Sequence, residues 1–222
     1  MPPSPNLDEV LRYMGADRSD PQLVELAQKA VVELSKTITP KYIYRKFDIQ
    51  TTDSGIRLSG TDMLLTGHGI AAHLKGCHAC YLLAGTLGAQ ADRIIRLATL
   101  KSMLEGLALN SAATELTENM MDAAQQEIGE TEAEQGNYLT DRFSPGYGDL
   151  PISLQKELLF LCDTPRKIGL SVTESDILTP KKSVTAIIGI SHQPTSQKIK
   201  GCAFCNMRER CTFRKAGTTC GH

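Results

Sequence analysis

Apolar residues recur along this chain with two periods, and an element boundary is expected wherever the period changes. In "NLDEVLRYM", Leu7, Val10, Leu11 and Met14 fall three or four residues apart on one helical face, with Asn6 before them as a cap. "DPQLVELAQKAVVELSK" carries the same period through Leu23, Leu26, Ala27, Ala30, Val31 and Leu34. Asp20 is placed to cap it and Pro21 to open it. "KYIYRKFDIQ" alternates and is rich in β-branched and aromatic residues, which predicts a strand with "GIRL" as its hairpin partner. "TDMLLTGHGIAAHLKGC" returns to the helical period and predicts a helix stopping at Gly76, followed by a buried strand, "ACYLLAGTLG". Residues 90–128 predict two helices broken between Gly106 and Asn110. "LPISLQKELLFLC" predicts another amphipathic helix, and "KIGLSV" and "SVTAIIGI" predict strands. Helices interspersed with strands, some joined by short connections, predict an α+β fold with a mainly antiparallel sheet.

Near "SHQPTSQKIKG" the composition shifts, dividing the chain into one domain over residues 1–192 and a linker with a small basic, cysteine-rich tail over 193–222. A chain of 222 residues with 41% hydrophobic and 22% charged residues suits one compact domain with a real core. A net charge of −1 lacks the basic excess of a general nucleic-acid binder. The longest apolar runs are far short of a membrane span, and "MPPSPNLDEV" has neither the basic start nor the apolar stretch of a signal peptide. The expected compartment is therefore the cytoplasm, where seven cysteines point to metal or buried thiols rather than disulfides.

Several motifs carry chemistry only in the right context. "GHGIAA" matches a dinucleotide-binding turn in letters, but that turn must follow a strand and open a helix, and here the glycines fall inside a predicted helix. His68 and His73, without partner carboxylates in the pattern, read as surface or packed histidines. Cys77 and Cys80 form C-x-x-C at a helix end, not at a helix start where a thiolate is stabilised, so they read as small buried residues. Cys162 falls on an apolar helix face and reads as core. The tail differs: Cys202, Cys205, Cys211 and Cys220 are spaced to enclose one tetrahedral zinc or one iron–sulfur cluster. So short a segment would hardly fold without such a centre, and its surrounding Lys and Arg offset thiolate charge. The spacing does not choose between zinc and cluster.

From Glu115 to Asp141 there are eight acidic residues and no Lys or Arg, and Glu115, Glu118 and Asp122 recur on one helix face. The plain reading is a solvated acidic face. "RFSPGYGDLP" follows at once. Pro145 biases Ser144 towards an extended backbone, Gly146 and Gly148 permit positive φ, and Tyr147 offers a stacking face beside the Arg142 guanidinium. Such a site suits a flat ring with a carboxylate for Arg142 and a cation for Glu118, as in an adenosine-linked sulfonium amino acid or several nucleotides.

The segments "VLRYMG", "LKGCHACYLLAGTLGAQADRII", "RFSPGYGD" and "LTPKKSVTAIIGISH", in this order over residues 7–192, resemble the activation (reactivation) domain of cobalamin-dependent methionine synthase. The closest resemblance is to its stand-alone bacterial forms. The resemblance implies an S-adenosylmethionine site in which Arg142 holds the ligand carboxylate. Ser144, Gly146 and Tyr147 contact the ligand through the turn, and Glu118 adds an acidic contact. Val172–Ser175 and Ser183 match the region that closes the family's cleft. Two departures stand out: no tyrosine follows Tyr147 to supply the family's C-terminal ligand contact, and its N-terminal acidic contact has no match. The implied role is a subunit supporting reductive methylation of cob(II)alamin on a methionine synthase or other corrinoid protein. No side chain need act as acid, base or nucleophile. The tail cluster, or a flavodoxin or ferredoxin, would supply the electron. The alternatives are a zinc-containing, non-catalytic adaptor that docks on a corrinoid protein, and a reductive activator of other corrinoid methyltransferases.

Overall fold

A computed structural model describes residues 5–194; Cys202, Cys205, Cys211 and Cys220 lie outside the described residues. The helices are α1 (Leu7–Met14), α2 (Pro21–Thr37), α3 (His68–His73), α4 (Ala89–Lys101), α5 (Met103–Ala133), α6 (Leu154–Cys162) and α7 (Thr164–Lys167). The strands are β1 (Lys41–Thr52), β2 (Gly55–Leu58), β3 (Leu64–Leu65), β4 (Cys77–Thr86), β5 (Tyr138–Leu139), β6 (Ser171–Val172), β7 (Leu178–Thr179) and β8 (Ser183–Ser191). Six strands form an antiparallel sheet in the order β3-β2-β1-β4-β8-β5, and β6 pairs with β7 alone. The fold is mixed α+β, as the alternation of periods predicts.

Local chemistry explains where most elements begin. The Asn6 side chain accepts from the Asp8 amide at 3.0 Å, and Asp20 accepts from the amides of Gln22 and Leu23 at the start of α2. These bonds satisfy amides that a helix start leaves without partners. The "GIRL" hairpin forms in the register Ile49↔Leu58 to Thr52↔Gly55.

Three expectations need correction. The helix over "TDMLLTGHGIAAHLKGC" shrinks to His68–His73, because Leu64 and Leu65 form β3, with Met63 and Leu65 buried, and Gly67, at φ +126°, cannot be helical. The break in the 90–128 region falls at Ser102, not at Gly106–Asn110. Ser102 adopts an extended backbone (φ −152°), ends α4 by donating to Ala98 O, and begins α5 by accepting from the Glu105 amide through its hydroxyl. Gly106 stays inside α5, where a Cβ would collide with Thr99. "KIGLSV" yields only a two-residue strand, since Lys167 closes α7 and Gly169 turns at φ +70°.

The contacts group the chain into two compact units. Of the described residues, the first takes those up to Ile43, Ala84–Ile128 and Cys162–Val184; the second takes Tyr44–Leu83, Gly129–Leu161 and those from Thr185 on. In the first, Val10 and Leu11 of α1 and Ala27 and Leu34 of α2 are buried, as are Ala108, Ala112 and Met121 of α5. Gly85 of β4 faces methionines of α5: a Cβ there would stand 2.5 Å from Met120 Cε and 2.9 Å from Met121 Sδ, so those side-chain ends would have to shift. In the second unit, Leu58, Met63, Leu65, Ile70, Leu82 and Ile188 are fully enclosed, each contributing about 1.5–3 kcal/mol by burial.

Candidate functional site

The turn from Arg142 to Leu150 lies in the second unit and is fixed at both ends. On its N-terminal side the chain runs along the edge of β8: Tyr138 pairs with Ser191, Leu139 with Ile190, and Phe143 with Ile187 through two backbone hydrogen bonds of 2.9 and 2.8 Å. Between them the Thr140 hydroxyl accepts from the Gly189 amide at 2.8 Å. Extended backbone sends successive side chains to opposite faces. Phe143 is buried, and Arg142 and Ser144 beside it are half-buried.

The bend itself follows from its sequence. The Tyr147 amide donates to Ser144 O at 3.0 Å, with Pro145 second and Gly146 third at φ +86°. That is the signature of a type II turn, whose third position excludes most side chains. Gly148 (φ +58°) starts a second turn closed by Leu150 N–H donating to Tyr147 O at 3.1 Å, and the Gly146 amide donates to Leu150 O at 2.9 Å. Gly146 is exposed, and Tyr147 and Gly148 are half-buried, so the bend is a surface feature.

A row of rings holds the phenol. Tyr147 meets Phe143 edge-on at 5.4 Å between ring centres, and Phe143 meets His73 at 5.1 Å. His73 is buried, its Nε2 2.9 Å from both Asp141 O and the Thr140 hydroxyl. Burial pushes its pKa down, partly opposed by the Asp141 contact. It is a packed histidine, and exposed His68 stands at the start of α3.

Asp149 is the residue that motif reading missed. Its carboxylate accepts from the amides of His68 at 2.5 Å and Gly69 at 2.9 Å, tying the bend to α3, and these amides hold its pKa below the usual range. The "GHG" letters are explained by the same contact. A Cβ on Gly67 would lie 2.7 Å from Asp149 Oδ1, and one on Gly69 would lie 3.0 Å from it and 3.2 Å from Phe143 Cζ. The glycines do follow a strand and open a helix, contrary to expectation, but the amides that would face a phosphate already bind Asp149. The one available signal was the aspartate directly after "PGYG".

The other candidates belong to other elements. Glu118 is half-buried on α5 in the first unit. Burial, against the lowering effect of Arg12, raises the pKa of Tyr13 on α1, and Glu118 and Glu115 add to the rise. Glu115 itself is buried, accepts from the Asn6 amide at 3.1 Å, and has its pKa raised mainly by that burial. The acidic run is therefore not a uniformly solvated face. Val172–Ser175 lie in the β6–β7 hairpin region, and the Ser183 hydroxyl donates to Thr86 Oγ1 at 2.8 Å. Cys80 and Cys162 are buried as expected, whereas Cys77 is half-buried; burial pushes the Cys77 thiol up to about 11 and Cys80 to about 12. Among the described residues no group of three His, Cys, Asp or Glu could hold a metal ion, and no helix is long and apolar enough to cross a membrane.

No family model and no curated protein matches the sequence. A crystal structure of the MetH reactivation domain bound to AdoHcy is similar to this chain at a TM-score of 0.64 and 16% sequence identity, covering 89% of this chain and 72% of that one. The fold of this chain is that of the MetH reactivation domain.

Proposed function

We propose that this chain binds S-adenosylmethionine at the Arg142–Tyr147 bend and supports reductive methylation of cob(II)alamin carried by a methionine synthase or related corrinoid methyltransferase. The observation that supports the reading is the bend: a surface type II turn with half-buried Arg142 two residues before it and the ring-braced phenol of Tyr147 at its end. The likeness of fold to a domain whose crystal form holds AdoHcy supports it. Arg142 binds the ligand carboxylate by paired charge-assisted hydrogen bonds, and Ser144 and the Gly146 backbone offer polar edges. Tyr147 stacks on an aromatic or cationic group. When bound, S-adenosylmethionine supplies a methyl cation; with one electron from a separate donor this converts cob(II)alamin to methylcobalamin and leaves S-adenosylhomocysteine. The chain's own part is to hold and orient the donor, which requires no acid, base or nucleophile.

Glu118 is the contact that the sequence resemblance adds. The four tail cysteines enter the proposal as a zinc or iron–sulfur centre, the latter giving the electron a local route. Titration calorimetry of the full chain with S-adenosylmethionine tests the reading. Saturable binding that weakens about 10- to 100-fold in Arg142→Ala supports it, matching the loss of hydrogen bonds to a charged group. No binding by the wild type, or equal binding by the variant, overturns it. Glu118→Gln is a separate arm, expected to weaken binding less.

A further inference from the structure

In the first unit, a cavity of about 610 Å³ opens beside α4, away in the chain from the bend. Four cations line it, Arg93 and Arg96 one turn apart on α4 and Lys181 and Lys182 on the loop before β8, against one carboxylate, Asp92. Asp92 is already engaged, accepting from the Lys181 amide at 2.8 Å. Arg93 and Arg96 are exposed and have no anionic partner among the described residues. Lys182 is recessed: its ammonium donates to Asn110 O at 3.0 Å and to Thr114 Oγ1 at 2.8 Å, and its carbonyl accepts from the Leu87 amide at 2.9 Å. Burial lowers its pKa, with Asp92 opposing.

A merely solvated basic face needs neither a concavity nor a half-buried ammonium held by two neutral acceptors. Desolvating a charge is costly, Asp92 offsets only part of that cost for Lys182, and four cations against one carboxylate around one hollow add repulsion. The arrangement is complementary to an anion small enough to enter. A flat acidic protein surface would meet the exposed arginines but would not reach Lys182. The volume falls in the range of small-molecule sites, about 300–1,000 Å³, and Ile95 and Leu100 give the hollow an apolar side.

We propose that this cavity is a second ligand site, for an organic phosphate bearing at least two negative charges, with Lys182 at its floor and Arg93 and Arg96 as a clamp. Planar guanidiniums one helical turn apart suit phosphate oxygens, and Lys182 contributes a compact point charge. The proposal does not rest on the proposed methyl-donor site, and its test does not use that ligand.

The test is calorimetric titration of the full chain with inorganic pyrophosphate, and with inorganic phosphate as the weaker probe, at low and at physiological salt. The expected result is one saturable site, tighter for pyrophosphate, that weakens with salt. The Arg93→Gln/Arg96→Gln variant changes only exposed side chains and is expected to lose at least about tenfold in affinity. Lys182→Met is expected to do the same, with circular dichroism as the check that it folds. Arg57→Gln/Lys75→Gln removes two exposed cations elsewhere and is expected to bind as the wild type does. Absence of saturable pyrophosphate binding overturns the proposal. So does an equal loss in both double variants, which would mean that net charge alone was being read.

Discussion

Glu132 stands in the acidic run with nothing in its neighbours to mark it, yet it is buried and makes three hydrogen bonds. Lys46 donates to it at 2.8 Å, the Tyr81 hydroxyl at 2.7 Å, and the Asn137 side chain at 2.7 Å. Burial disfavours its charge, but the three donors together outweigh burial and hold its pKa below the ordinary value. Glu132→Gln keeps the shape and loses the charge, and is expected to cost about 1–3 kcal/mol at neutral pH. The sign with pH follows from the lowered pKa. The stabilisation is fully present above the unfolded glutamate value, about 4.3, and is lost as pH falls through the lower folded value. Urea midpoints of wild type and variant should therefore converge as pH drops below about 4. At the proposed binding site, residue types were legible where backbone chemistry dictates them: Pro145, Gly146 and Gly148 had to form a bend. That Asp149 anchors the bend was not legible, because its partners stand about eighty positions earlier in the chain.

Among the elements, those with a capping residue followed by an unbroken period, α1 and α2, matched expectation, because local chemistry alone decides them. α3 did not. Its apolar residues fit a helical period and a strand period equally over a few positions, and tertiary contacts decided. The close approach of Asp149 to Gly67 is the most specific of these contacts and gives a coupling prediction. Gly67→Ala places a Cβ at φ +126°, 2.7 Å from Asp149 Oδ1, and should destabilise by about 1–3 kcal/mol. Asp149→Ala removes both the obstacle and the tether. If the two residues act on one another, the cost of Gly67→Ala shrinks by about 0.5 kcal/mol or more in the Asp149→Ala background. Hydrogen exchange should show residues 66–70 and 142–150 losing protection together in Asp149→Ala, since the carboxylate bridges the two segments. Faster exchange confined to 66–70 would mean that Asp149 caps α3 without holding the bend.

At the scale of the whole molecule, the alternation of helical and strand periods was enough for the α+β class, because each period reports which face an element buries. It could not yield the sheet order. β1 lies between β2, its hairpin partner, and β4, separated from it by more than twenty residues, and such pairings depend on contacts that no local window contains. The division at residue 193 rests on composition alone, and it carries a prediction of its own. The described residues enclose an apolar core of their own, and the four tail cysteines enter only through the proposed zinc or iron–sulfur centre. In Cys202→Ser/Cys205→Ser, stoichiometric zinc or iron should therefore disappear while the thermal midpoint of the main transition stays within about 2 °C, because so little buried apolar surface is at stake. Element analysis of the purified full chain, with absorption and electron paramagnetic resonance under anaerobic handling, reads the first quantity, and calorimetry reads the second. A lowered midpoint on metal loss would make the tail part of the folded body, and stoichiometric zinc in a colourless protein would end the local electron route.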